Sequence, residues 1–125
     1  RDNVTGVNVA FGSYYTDLGA TIANNSLGGL GVNNHSSAVI AGDSITGNGV
    51  GVFVNMQSEV TFAPAGATIN GNFTGMSIGN QSWVNVLTPG TTTVSGSGAQ
   101  PDIQCPGHFS GASGVANVGS TNCPP

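Results

Sequence analysis

The sequence predicts an all-β solenoid, because two short phrases recur along the chain at a nearly fixed period. The first phrase places an aliphatic residue before a turn and occupies residues 21–25, 44–48, 68–72 and 93–97. Its aliphatic residues stand 23, 24 and 25 positions apart, as Ile22, Ile45, Ile69 and Val94. The second phrase falls between the copies of the first, at residues 32–40, 54–62 and 78–86. Self-similarity at a period of 20–50 residues indicates repeats that stack on one another.

Apolar and polar residues alternate within the second phrase, which is the pattern of a strand with one buried face. Stacking equivalent positions of successive repeats therefore predicts columns of aliphatic side chains inside the solenoid. The first column holds the four aliphatic residues of the first phrase. The other three columns are Val32, Val54 and Ile78; Ala38, Val60 and Val84; and Ile40, Phe62 and Val86.

The two ends of the chain fit the repeat less well, although one domain is expected for 125 residues. Residues 1–20 are predicted to form an irregular first coil of the 1–98 solenoid, because Asp17 falls where the next repeat has Ile40. Residues 99–125 lose the repeat and are predicted to form a C-terminal cap. Cys105 and Cys123 suggest a disulfide in this cap, with two free thiols as the alternative.

Short strands turned by Gly and Asn, with 22–25 residues per repeat, resemble the right-handed parallel β-helix of pectate lyases, tailspikes and many bacterial surface proteins. The resemblance covers about residues 21–98 and implies an architecture of about four to five coils. The leucine-rich repeat is the rival at this period, but its L-x-x-L-x-L pattern is absent. Asn25, Asn48 and Asn72 resemble the asparagine ladder of β-helix turns, so a structural role is expected for them.

The charge content excludes several kinds of partner. Arg1 is the only basic residue beside five carboxylates, and the net charge is −4. One basic side chain cannot neutralise a run of phosphates. We therefore expect neither nucleic acid nor an anionic membrane surface as a partner. No apolar run reaches the roughly 20 residues that span a bilayer, so no membrane insertion is expected. The cysteines suggest an oxidising compartment, and we expect a secreted or cell-surface protein.

A candidate ligand-binding surface follows from the outward positions of the second phrase. An exposed aromatic ring beside amides and a carboxylate suits a sugar, which stacks on the ring and hydrogen-bonds to the polar groups. The alternative is that Trp83 packs under a loop and that Glu59 is merely solvated. The candidate residues are Trp83, Glu59, Tyr14, Gln57, Gln81 and Asn85, with Ser36, Ser58 and Ser82 placed at the same corner.

No catalytic residue is predicted, and neither a cofactor nor a metal. The resemblance to pectate lyases implies proton abstraction by Arg or Lys and substrate binding through calcium. This chain lacks lysine, and its only arginine is Arg1. Glycoside hydrolysis needs two carboxylates about 5–10 Å apart. Asp43 and Glu59 fall on different sides of the coil, and only Asp17 lies nearer to Asp43. His108 beside the two cysteines makes too small a ligand set for a metal.

The sequence therefore favours a non-enzymatic, secreted or surface-exposed structural β-helix. Such a protein would assemble end to end into an extracellular fibre, or form the C-terminal coils of a larger solenoid. Its partners would be copies of itself or neighbouring coils. The alternative is a module that binds or processes polysaccharide. Ice binding on a flat threonine face is a weaker third hypothesis, because the outward columns of the second phrase are mixed.

Overall fold

The structure is a computed structural model that describes residues 1–98, 102–106, 111–113 and 123. These residues contain strands and no helix. The strands are β1 (Thr5–Val9), β2 (Tyr14–Leu18), β3 (Thr21–Ala23), β4 (Gly28–Val32), β5 (Ser37–Ala41), β6 (Asp43–Thr46), β7 (Val50–Val54), β8 (Glu59–Phe62), β9 (Ala67–Asn70), β10 (Thr74–Ile78), β11 (Trp83–Val86), β12 (Thr93–Ser95), β13 (Ile103–Gln104) and β14 (Gly111–Ser113).

Successive strands enter three different parallel sheets, so the chain winds as a solenoid. Sheet A has the order β1-β4-β7-β10-β13, sheet B the order β2-β5-β8-β11-β14, and sheet C the order β3-β6-β9-β12. The result is a parallel β-solenoid of about four turns, which confirms the predicted fold. In sheet C the register stacks Ile22 on Ile45, Ile45 on Ile69 and Ile69 on Val94, as the repeat predicted.

The predicted inward columns form one continuous apolar core between the three sheets. Leu30, Ile40, Ile45 and Phe62 have no exposed surface, and Ile22 is only 5% exposed. All of them belong to one cluster of contacting buried residues. Because each coil is thin, a core side chain of an inner coil packs against its copies in the coils above and below as well as across the coil.

Asparagines form a hydrogen-bonded ladder at the corner that follows sheet C, as predicted for Asn25, Asn48 and Asn72. The backbone and side-chain amides of Asn25 donate to Oδ1 of Asn48 at 3.0 and 2.8 Å. Those of Asn48 donate to Oδ1 of Asn72 at 2.9 and 3.0 Å. All three residues are at least 97% buried, so the ladder satisfies corner groups that water cannot reach.

The ladder extends to Asn3, which the sequence analysis missed. Asn3 donates its backbone N–H to Oδ1 of Asn25 at 3.1 Å. Asp2 has a φ of 61°, close to the 56° of Asn24, so the first coil turns this corner in the same left-handed way. At the other end of the ladder Ser97 replaces asparagine and donates its N–H to Oδ1 of Asp102 at 2.9 Å.

A column of glycines in sheet A makes room for the asparagine ladder. A Cβ atom on Gly51 would lie 2.5 Å from the carbonyl oxygen of Gly75 and 2.7 Å from Nδ2 of Asn72. Similar contacts would arise at the equivalent positions of the other coils. The column consists of Gly6, Gly29, Gly51 and Gly75. These glycines are therefore needed for close approach rather than for chain flexibility.

Serines form a second internal ladder, at the corner between sheets A and B. Ser36, Ser58 and Ser82 were expected on the outer surface, but they are 3%, 2% and 0% exposed, so that expectation was wrong. The Ser58 hydroxyl accepts the N–H of Ser36 at 3.2 Å, and the Ser82 hydroxyl accepts that of Ser58 at 3.1 Å. Two consecutive left-handed residues, such as Met56 and Gln57, precede each serine and turn it inward.

The predicted disulfide joins Cys105 to Cys123 and is confirmed. Strands β13 and β14 add to the last edges of sheets A and B. His108 and most of the predicted cap at residues 99–125 lie outside the described residues, so the division into coils and cap stays a prediction.

Replacing the central asparagine of the ladder should destabilise the whole stack. Asn48→Ala removes the oxygen that accepts two N–H groups of Asn25, and it also removes one of the two N–H groups that donate to Oδ1 of Asn72. We expect a loss of about 3 kcal/mol in the free energy of unfolding, measured by chemical denaturation. Asn70→Ala is the matched control, because Asn70 is exposed on the neighbouring strand. Equal effects of the two substitutions would contradict a structural ladder.

Candidate functional site

The outer face of sheet B brings together the residues predicted to bind a ligand. The strand register pairs Tyr14 with Ser37, Ser37 with Glu59 and Glu59 with Trp83. Neighbouring strands lie ~4.8 Å apart, so Glu59 is flanked directly by Trp83 and stands two strands from Tyr14. The four side chains form one column across four coils, as the repeat predicted.

Both aromatic rings of this column are open to solvent. Trp83 is 55% exposed and Tyr14 is 67% exposed, so Trp83 is not covered by a loop. Glu59 is also exposed, and one of its carboxylate oxygens accepts a hydrogen bond from the Thr61 hydroxyl at 3.1 Å. Asn85 lies in the adjoining outward column and pairs with Thr61. The face therefore offers two rings with a carboxylate between them.

The two glutamines lie at the corner that leads into sheet B. Nε2 of Gln57 donates to Oε1 of Gln81 at 2.9 Å, so the two side chains form an exposed amide pair. Their φ angles are 59° and 62°. Left-handed backbone at a residue other than glycine costs free energy, and here the inter-coil bonds hold it: the N–H of Gln57 donates to the carbonyl of Asn80 at 2.9 Å.

Asp17 and Asp43 occupy inward positions of the first two coils, whereas Glu59 faces solvent. Asp43 begins β6 with its side chain inside and is 2% exposed. Its Oδ1 accepts the N–H of Ala20 at 3.0 Å, whereas its Oδ2 has no partner among the described residues. Burial raises the pKa of Asp43; the Ala20 N–H partly opposes this, and the charge of Asp17 adds to it.

Tyr15 and Asp17 occupy inward columns of the first coil, where the next coil has Ala38 and Ile40. The Tyr15 hydroxyl donates to Oδ2 of Asp17 at 2.6 Å, and the N–H of Leu18 donates to Oδ1 at 2.8 Å. Burial, together with the hydrogen bond to Asp17, raises the pKa of Tyr15 to about 12. A polar pair thus ends two of the apolar columns, at the place where the predicted match between the coils fails.

Other kinds of site find little support in the part of the chain that the structure describes. No three His, Cys, Asp or Glu side chains there come together as ligands for a metal ion. No described segment forms an apolar helix long enough to cross a membrane. His35 lies at the left-handed corner with a φ of 60°.

Comparison with known proteins finds no matching family model, no matching curated protein and no matching solved structure.

Removing the buried charge of Asp43 should stabilise the protein at neutral pH. Because the pKa of Asp43 is raised in the fold, its protonated form is favoured there, and stability is lost as pH rises through the folded pKa. Asp43→Asn keeps the oxygen that accepts the Ala20 N–H and carries no charge. We expect the free energy of unfolding of the variant to exceed that of the wild type by about 1 kcal/mol at pH 7. The variant should also not show the loss of stability with rising pH that Asp43 causes in the wild type.

Chemical denaturation between about pH 3 and pH 7 measures both effects. Glu59→Gln is the control, because Glu59 is exposed and its charge is solvated. An Asp43→Asn variant that is less stable than the wild type at neutral pH would contradict the account of Asp43.

Proposed function

We propose that this chain is a non-enzymatic structural solenoid that assembles end to end with further copies of itself into a fibre. The observation that carries this proposal is the open edge of the first coil. Among the described strands, β1, β2 and β3 are the outermost ones of their sheets, and each is paired on one side. Unpaired strand edges are templates for another chain.

The first coil is regular enough to receive another coil. Asn3 continues the asparagine ladder, and the N–H of Ser13 donates to the Ser36 hydroxyl at 3.2 Å as in later coils. In each ladder a side-chain oxygen accepts an N–H from the preceding coil. The side chains of Asn3 and Ser13 are both exposed, so their oxygens stand where a preceding coil would donate.

At the opposite end, the last described strand of each sheet runs in the same direction as the first. Sheets A, B and C end there with β13, β14 and β12, which are parallel to β1, β2 and β3. One movement along the solenoid axis therefore brings the last edge of one copy onto the first edge of the next. This head-to-tail contact does not close on itself, so it would extend into a filament. With only six charged side chains in 125 residues, little repulsion opposes it.

We propose that the protein lies outside the cell or on its surface. The Cys105–Cys123 disulfide supports an oxidising compartment. The dense inter-coil bonding would suit a stiff component that must persist there.

Blocking the open edge should prevent assembly. The Val9 carbonyl accepts the N–H of Asn33 at 2.8 Å, so Val9 faces the second coil and the N–H of Asn8 faces the open edge. Asn8→Pro removes that N–H and keeps the backbone hydrogen bonds between the first two coils. The exposed hydrogen bond from Asn33 Nδ2 to Asn8 Oδ1 at 3.4 Å is lost equally in Asn8→Pro and in the control below. We expect the wild type to grow in mass with concentration, measured by light scattering, and to form rods in electron micrographs. Asn8→Pro should remain monomeric.

Asn8→Ala is the matched control, because it changes the same side chain and keeps the backbone N–H. It should assemble like the wild type. A wild type that stays monomeric at every concentration would refute end-to-end assembly, as would assembly by the Asn8→Pro variant.

Carbohydrate binding is a second candidate. It is favoured by the strand register, which sets Glu59 between the exposed rings of Trp83 and Tyr14 on one face of sheet B. A polysaccharide lying across the strands could stack on both rings. The Gln57–Gln81 amide pair borders this face and would hydrogen-bond to sugar hydroxyls. No catalytic role is proposed for these residues.

Fluorescence of Trp83, the only tryptophan, tests this second candidate. Titration with neutral and acidic polysaccharides should shift its emission if the face binds a sugar. Trp83→Ala should then weaken binding about tenfold or more, measured by calorimetry. Leu87→Ala is the control, since Leu87 is also exposed but lies outside this column. An unchanged emission with every glycan would count against a sugar site at Trp83.

A further inference from the structure

Sheet C presents an outer face that is built almost entirely from small polar side chains. Outward positions alternate with the buried aliphatic column, so each strand contributes two of them. The register aligns these positions into two columns across four strands. One column is Thr21, Ser44, Thr68 and Thr93, and the other is Ala23, Thr46, Asn70 and Ser95. Ala23 is only 7% exposed, whereas the other seven side chains are half-buried or exposed.

The polar groups of this face are free to bind something outside the protein. None of its seven hydroxyl or amide side chains hydrogen-bonds to another group in the described part of the chain. On sheet B, by contrast, Thr61 donates to Glu59. The face also lacks charge, because Asp43, the one acidic residue in its strands, points inward and is 2% exposed.

The face is supported from below by the apolar core. Ile45 and Ile69 lie directly beneath it with no exposed surface. At one border the chain turns into the buried ladder of Asn25, Asn48 and Asn72. The turn residues before these asparagines include Gly47 and Gly71, which have no side chain to project beyond the sheet. The fold therefore fixes the backbone positions that carry these hydroxyl groups.

The distance between neighbouring side chains within each column is close to a distance between water oxygens in ice. Neighbouring strands lie ~4.8 Å apart. Water molecules in a tetrahedral network with O···O distances of about 2.75 Å have second neighbours about 4.5 Å apart. Across the three steps of this sheet the accumulated difference is about 0.9 Å, which rotation about side-chain bonds can absorb.

We propose that the outer face of sheet C binds ice. A sugar polymer would also meet hydroxyl groups here, but this face has no aromatic ring on which a sugar could stack, unlike the Trp83 face of sheet B. The sequence analysis judged ice binding weak because it considered the mixed outward columns of the second phrase. The regular hydroxyl column lies instead on the strands of the first phrase.

The direct test is growth of ice in the presence of the purified protein. We expect the wild type to partition into a slowly growing ice hemisphere and to produce thermal hysteresis. Thr68→Tyr places a bulky ring at the centre of the face and should reduce both effects to background. Thr16→Tyr is the matched control, because Thr16 is an exposed threonine facing outward on sheet B, and it should behave like the wild type.

Circular dichroism melting establishes that each variant is folded. If Thr68→Tyr does not fold, Asn70→Tyr replaces it, since Asn70 is exposed in the neighbouring column. A wild type without effect on ice overturns the proposal, and so does equal loss of activity in Thr16→Tyr. Binding to insoluble chitin or cellulose that is lost in Thr68→Tyr, with no effect on ice, would also overturn it and would assign the face to a polysaccharide. The proposal does not depend on end-to-end assembly, because Asn8→Pro should leave ice binding intact.

Discussion

Hydrogen bonding from each coil to the next is the constraint on which the rest of this structure depends. The backbone ladders of three sheets set the spacing, and two side-chain ladders satisfy the corners: Asn25 to Asn48 to Asn72, and Ser36 to Ser58 to Ser82. Without these oxygens the corner N–H groups would be buried and unpaired, which costs more than the bonds themselves contribute. The glycine column exists because the asparagine amides need that space.

The same constraint separates the inside of the protein from its outside. Inward positions must repeat an aliphatic shape in every coil, and Phe62 stacks between Ile40 and Val86 accordingly. Outward positions are free to differ between sheets. Sheet B carries exposed rings around Glu59, whereas sheet C carries uncharged hydroxyl groups at a regular spacing. Binding functions of this protein are therefore to be sought on its sheet faces, and assembly at its open edge.

The repeat predicted the apolar columns and the asparagine ladder because both obey one spacing along the chain. Asn3 was missed because the turn after Asn25 has one residue more than the turn after Asn3, which shifts a simple alignment. The inward serines were missed because alternation was assumed to continue through a corner that two left-handed residues reverse. The burial of the Asp43 carboxyl group could not be predicted from the sequence. The equivalent position of the next coil holds Ala67, and nothing in the repeat spacing indicates a buried acid.

Hydrogen exchange of the asparagine side-chain amides, measured by NMR, tests the central claim most directly. The account predicts that the Nδ2 protons of Asn48 exchange slowly, because this group is buried and donates to Oδ1 of Asn72 at 3.0 Å and to the carbonyl of Ile22 at 3.1 Å. The exposed Nδ2 group of Asn70 in the same protein should exchange at the rate of a free amide. Equally fast exchange at both positions would contradict an internal ladder that holds the coils in register.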